Sequence, residues 1–237
     1  CEAVGGEAKA GNDFIELKYT GYANDEIFDS NIEEDLRKLN PKAKAEKFII
    51  IVGQEMVIKG LDKELENKEL EKEYSVEIKS KEAFGARNRD LIRTIPLKAF
   101  TQQKMNPRAG MVLAMDNNIV KIIAVSGARV IVDFNNPLAG KDLKYSFKII
   151  RNVEDLTEKI EALLKFYLRI IPEFEVKDKI IIKAQKEYES IIKIYNDKFK
   201  DLLGKELSFV EKKQDIAEND KHSHDHAHDH VHVGHTN

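Results

Sequence analysis

All seven histidines of this 237-residue chain fall between residues 222 and 237. His222, His224, His226, His228, His230 and His232 occupy every second position, and His235 follows. Imidazoles at that spacing can converge on one ion, and imidazole ligands suit Ni²⁺, Zn²⁺ and Cu²⁺. The expected chemistry is divalent-metal binding that weakens as pH falls through about 6.5, where histidine takes up a proton. An affinity tag is normally an unbroken histidine run, whereas here Asp225 and Asp229 are interleaved. No cysteine stands in the tail, so a thiolate site there is excluded. Cys1 is the only cysteine, and no intrachain disulfide can form.

Other function classes are limited by composition. The 42 acidic and 39 basic residues leave a net charge of −3, without the basic footprint of a nucleic-acid binder. No apolar run reaches the roughly 18–20 residues that span a bilayer. Cys1 with the Gly/Ala-rich stretch to Asn12 reads in two ways. It is either a lipid-modified cysteine and tether of an extracytoplasmic protein, or the cut end of a cytoplasmic one.

The elements between these termini follow from periodicity. Phe14–Tyr22 alternates apolar and polar residues, as a half-buried strand does; Asn24-Asp25 suits a turn, and Ile27–Ser30 a returning strand. Ser30 stands three residues before Glu33, the spacing of a capping box for a short helix over Ile32–Leu39. Lys47–Gly53 is a buried β-branched run, Asp62–Lys68 a charged helix, and Glu73–Lys79 a strand. Residues 87–132 differ in texture, with strands over 111–115, 119–125 and 129–133, and Tyr145–Ile150 resumes the first sheet. Leu156, Ile160, Leu163, Leu164, Tyr167 and Ile170 share a helical face; Phe174–Lys183 is strand-like; Lys186–Leu203 is helical with Gly204 as its cap; Leu207–Val210 is a last strand. This last module is small for a core of its own, so it is expected to pack on its neighbour.

Three segments in order resemble the FKBP pattern: Tyr19-Thr20-Gly21 with Phe28-Asp29-Ser30; Val52-Gly53 with Val57-Ile58-Lys59-Gly60; and Ala83-Phe84-Gly85. A fourth, Val132-Asp133-Phe134-Asn135-Asn136-Pro137-Leu138-Ala139-Gly140-Lys141, is similar to the point in SlyD-like FKBPs where an inserted flap returns to the barrel. The C-terminal module resembles the extra domain of long-type archaeal FKBPs. The resemblance implies an α+β chain: an FKBP half-barrel wrapping a short helix, with an inserted β-rich flap and a C-terminal α/β domain. In residues, it implies a tether over 1–12, an isomerase domain over 13–86 and 133–153, a flap over 87–132, a C-terminal domain over 154–213 and a histidine-rich tail over 214–237.

The same resemblance implies a prolyl pocket lined by Tyr19, Phe28, Asp29, Phe48, Val57, Ile58, Leu61, Phe84 and Tyr145, and a peptidyl-prolyl cis/trans isomerase that needs no cofactor. Leu61 departs from the tryptophan floor of many members and Phe84 from a common tyrosine. Glu71 stands where the family usually has a turn glycine. Taken singly, Phe48, Val57 or Tyr145 reads as core, and only the joint match makes them a pocket. Unfolded or proline-containing polypeptides and divalent metal ions are the implied partners, with nucleic acid excluded and a homodimer through the C-terminal domain open. On the flap, Leu91, Ile92, Ile95, Leu97, Phe100, Met105, Met111 and Met115 divide between its own core and a surface for unfolded chains. The alternative is a holdase or nickel- or zinc-binding metallochaperone whose pocket is idle.

Overall fold

The computed structural model describes residues 13–115 and 118–212. Cys1 with its tether and the seven histidines lie outside the described residues.

The alternating segment at the start of the chain forms β1 (Phe14–Ala23), which returns through Asn24 and Asp25 into β2 (Glu26–Ser30). Helix α1 (Glu33–Leu39) precedes the short β3 (Ile49–Ile51), then α2 (Lys59–Leu65), β4 (Glu73–Ile78) and, much later, β9 (Leu143–Asn152). These strands make one antiparallel sheet in the order β2-β1-β9-β4, with β3 paired to the other end of β1. Ile15, Leu17, Ile50, Ile51 and Ile149 are fully buried, and Leu61 and Leu65 of α2 belong to the same apolar core.

Two local expectations are corrected here. The capping box does not form: Ser30 is buried, and its hydroxyl donates to the Tyr19 carbonyl and accepts from the Ile32 N–H, so it braces β1 against β2. Ile32 is the N-cap of α1 and has no side-chain cap bond. Helix α2 begins three residues before the expected Asp62 and ends at Leu65. Tertiary packing overrides the weak propensity of Gly60: a Cβ there would stand 2.3 Å from the Ile78 methyl, so the helix can lie on β4 only with glycine. Leu61 and Leu65, four apart, then share the buried face.

Glu71 has φ 60, in the left-handed region, while its N–H donates to the Ile149 carbonyl at 2.7 Å. A side chain in that region costs about 1 kcal/mol. Glu71→Gly is expected to raise stability by up to about 1 kcal/mol in a urea titration.

Between β4 and β9 lies a second sheet. Strand β5 (Ile92–Pro96), helix α3 (Leu97–Gln102), β6 (Val112–Met115), β7 (Asn118–Ser126) and β8 (Arg129–Asp133) form it in the antiparallel order β5-β8-β7-β6. Its core is Phe100, Val120, Ile122, Val130 and Val132. Strand β5 and α3 were not anticipated; α3 is one short turn-and-a-half anchored by Phe100 alone, too short for a helical period to show.

The C-terminal elements are α4 (Leu156–Leu168), β10 (Glu173–Val176), β11 (Ile180–Ala184), α5 (Glu189–Leu203) and β12 (Leu207–Glu211). Asp155 caps α4 by accepting the Glu158 N–H at 2.9 Å, and the helix stops short of Ile170 because Arg169 turns left-handed. Helix α5 starts later than expected, after a 3-10 turn over Lys186–Tyr188. It makes the crossover that lets β12 pair parallel to β11. Ile160, Leu163 and Leu164 of α4 join the same apolar core as β1 and β3, so the module shares a core with the half-barrel. Arg151 adds a polar seam, bonding Glu16 and Glu158 at 2.9 Å each.

Candidate functional site

On the concave side of the first sheet, Tyr19, Phe28, Asp29, Phe48, Val57, Ile58, Leu61, Phe84 and Tyr145 surround one hollow of about 380 Å³. They converge from across the chain. Tyr19 comes from β1, Phe28 and Asp29 from β2, Tyr145 from β9, and Phe48 from the residue before β3. Val57 and Ile58 lead into α2, whose buried Leu61 forms the floor. Phe84, about one-third exposed, stands at the rim. Antiparallel pairing of β1 with β2 and β9 sets Gly21 opposite both Asp29 and Tyr145, which holds the aromatic residues of three strands together.

The rings support one another. Tyr19 lies 5.6 Å from Phe48 and 6.1 Å from Tyr145 between centroids, and Phe28 meets Tyr145 edge-on at 5.8 Å. The Tyr19 hydroxyl donates to the Asp29 carboxylate at 2.8 Å. Burial pushes the Tyr19 phenol well above its usual range, and the neighbouring Asp29 charge adds to the effect. Tyr145 is raised for the same two reasons in the same order. Both phenols therefore remain protonated at any working pH.

Because both folded-state values lie above the unfolded ones, this contribution to stability is complete below the unfolded phenol value near 10. It is lost as pH climbs beyond that value. The urea midpoint is expected to fall above about pH 10, and the fall is expected to be shallower in Tyr145→Phe.

Two further groups belong to this region and were not anticipated. Met56 lines the hollow, and its sulfur accepts the Ile51 N–H at 3.2 Å. It precedes Val57 directly, and that adjacency was its only signal. Asp62, read from sequence as a charged helix residue, is 4 % exposed. Its carboxylate accepts the Gly53 N–H at 2.9 Å and the Glu55 N–H at 2.8 Å, pinning the loop that carries Met56, Val57 and Ile58. At the neck of the second sheet, Asp133 accepts from Asn135 and pairs with Arg87, while Asn135 exchanges hydrogen bonds with the backbone of Asn88 at 2.7 and 2.9 Å. Burial works against the Asp133 carboxylate, yet the Asn135 bonds and the Arg87 charge hold it below the usual range.

The second sheet sorts the apolar residues of the insert. Phe100 is core, with Ile95, Leu97, Met105 and Met115 packed on it, and Leu91 is half-buried. Ile92 and Met111 are exposed. So are Val112, Ile119, Ile123 and Val125, none of which stood out in the sequence. No cluster of three or more metal-ligating side chains occurs among the described residues.

Comparison with known proteins bears on the family of the chain. The family model for FKBP-type peptidyl-prolyl cis-trans isomerase matches residues 5–99, and that for the FKBP26 IF domain matches residues 93–138. A short-type peptidyl-prolyl cis-trans isomerase of Methanocaldococcus jannaschii is 30 % identical over 140 residues, covering 58 % of this chain and 89 % of the relative. The isomerase SlyD of Treponema pallidum is 33 % identical over 119 residues, covering 49 % of this chain and 67 % of its own. SlyD of Haemophilus influenzae is 30 % identical over 112 residues, covering 46 % and 58 %. With most of the archaeal relative's length matched, and with aromatic walls from three strands closing on one hollow, the chain belongs to the FKBP-type peptidyl-prolyl cis-trans isomerases.

Proposed function

We propose that this hollow is where the chain rotates X–Pro bonds. A single observation carries the reading: the hollow is walled by apolar and aromatic side chains, with Asp29 as its one carboxylate. Peptide rotation has a barrier of about 18–20 kcal/mol, set by amide resonance. A planar amide is strongly dipolar, and twisting decouples the nitrogen from the carbonyl and lowers that polarity. A dry aromatic cleft disfavours the planar form relative to the twisted one, which is all the catalysis requires. No nucleophile and no proton relay takes part.

In this reading Asp29 acts through its charge. The Tyr19 hydroxyl fixes its rotamer, and its position at the mouth orients the substrate. The Ile58 N–H, at the opening of α2, holds a substrate carbonyl. Phe48→Ala is expected to lower kcat/KM on a proline peptide by about tenfold to a hundredfold, the value of one aromatic wall. A protease-coupled assay reads this directly, and unchanged kcat/KM would remove the hollow from the mechanism.

We further propose that the chain divides into the isomerase domain (13–86 and 133–153), a client-capturing flap (87–132) and a C-terminal domain (154–213). The exposed face of the second sheet supports the flap's role. Val112, Ile119, Ile123 and Val125 leave apolar surface open on β6 and β7, and contiguous exposed apolar surface marks an interaction site. Changing Val112 and Ile119 to serine is expected to weaken suppression of aggregation of an unfolded protein while proline-peptide turnover persists. The histidine tail is proposed to bind Ni²⁺, Zn²⁺ or Cu²⁺. Calorimetric titration of the chain truncated at residue 213 should lose that binding. A homodimer through the C-terminal domain is supported by the exposed Ile194 and Val210, and sedimentation of Ile194→Asp tests it.

A further inference from the structure

A second hollow of about 370 Å³ lies where α4 seats against the half-barrel beside β3. Phe48 and Met56 line both this groove and the first hollow, so those side chains are a partition the two share. The floor is apolar, formed by Ile49, Ala162, Phe166 and Ile171 together with the partition. Ile171 is half exposed at its edge although it is a large apolar residue. Charges at the rim balance in sign: Lys47 binds Glu158 at 2.8 Å, Lys165 pairs with Glu46, and Glu161 and Arg169 add one charge of each sign. The Arg169 guanidinium lies over the Phe166 ring at 5.6 Å.

We propose that this groove is a second subsite for the substrate polypeptide, taking an apolar or aromatic side chain a few residues away from the proline. The inference rests on the prolyl reading of the first hollow. An extended chain advances about 3.3 Å per residue, so a few residues carry it past the partition. With three acidic and three basic residues, the rim leaves no net charge to attract an ion or an acidic peptide. What the floor can reward is burial of an uncharged apolar side chain. The C-terminal module thereby becomes part of substrate selection, because α4 supplies one whole wall.

The test uses the full chain and two fluorescently labelled peptides: a short Leu-Pro peptide, and the same peptide lengthened at both ends with Phe and Leu spaced by Gly and Ser. The lengthened peptide is expected to bind about tenfold more tightly than the short one, the value of burying one apolar side chain. Ala162→Trp, which fills the groove, is expected to bring that ratio close to unity. Ile171→Ser changes an exposed position and should reduce the ratio without a risk to folding. A ratio unchanged in Ile171→Ser and in folded Ala162→Trp overturns the proposal. So does a change in sedimentation on Ala162→Trp with peptide affinities intact, which would make the groove a contact between copies of the chain. If the wild type fails to speed cis/trans exchange in the short peptide, the isomerase reading falls, and the binding ratio still decides the groove.

Discussion

Gly21→Ala is expected to leave the chain folded and to lower kcat/KM on a proline peptide by about a hundredfold, the cost of displacing a reacting geometry by about an ångström. A Cβ at this position would stand 2.7 Å from Cζ of Phe28 and 3.0 Å from Cε1 of Tyr145. Real contacts are not that short, so one or both rings must move. Both rings are walls of the hollow, and they already meet edge-on, so neither can retreat without disturbing the other. The backbone of Gly21 is held in β1 between Asp29 and Tyr145, which prevents the strand from yielding instead. The stability cost of overpacking is about 1–3 kcal/mol. Activity and urea unfolding measured on the same preparation separate the two effects. An active Gly21→Ala protein would mean that the positions of Phe28 and Tyr145 do not matter.

Asp62→Ala is expected to destabilise the chain by about 1–3 kcal/mol, because it removes the shared acceptor of two backbone donors whose bonds to the buried carboxylate are themselves only partly buried. Those donors belong to Gly53 and Glu55, and Glu55 itself has φ 53, a conformation that a non-glycine residue keeps only when its surroundings enforce it. Released, the loop no longer presents Met56, Val57 and Ile58 to the hollow. KM is expected to rise together with the loss of stability. Asp62→Asn retains one acceptor oxygen and should recover roughly half of the loss. Equal stability of Asp62→Ala and the wild type in urea would contradict the pinning role.

Much of the half-barrel is legible in the amino-acid order because its long strands have one face in the core and one outside. β9 alternates from Leu143 to Ile149 and β1 from Ile15 to Tyr19, and the short motifs at Tyr19–Gly21, Phe28–Ser30, Val57–Gly60 and Ala83–Gly85 align with the residues that close on the hollow. Where tertiary packing decides, pattern fails. The onset of α2 depends on a glycine fitting under Ile78, which no helical propensity records. Ser30 and Asp62 look like ordinary cap and surface residues until their burial is known, since a polar side chain shows no periodicity of its own. The open face of the second sheet was invisible for the opposite reason: β7 is apolar on both faces, so alternation could not reveal which side stays exposed.

Heteronuclear NMR of the isotope-labelled chain with a saturating proline peptide tests the central claim most directly, because exchange rate and contact surface are read in one sample. The account predicts cis/trans exchange far faster than the tens to hundreds of seconds of the free peptide, with the largest shift changes at Tyr19, Phe28, Ile58 and Tyr145. Accelerated exchange accompanied by shift changes confined to other surfaces, or no acceleration at all, would contradict it.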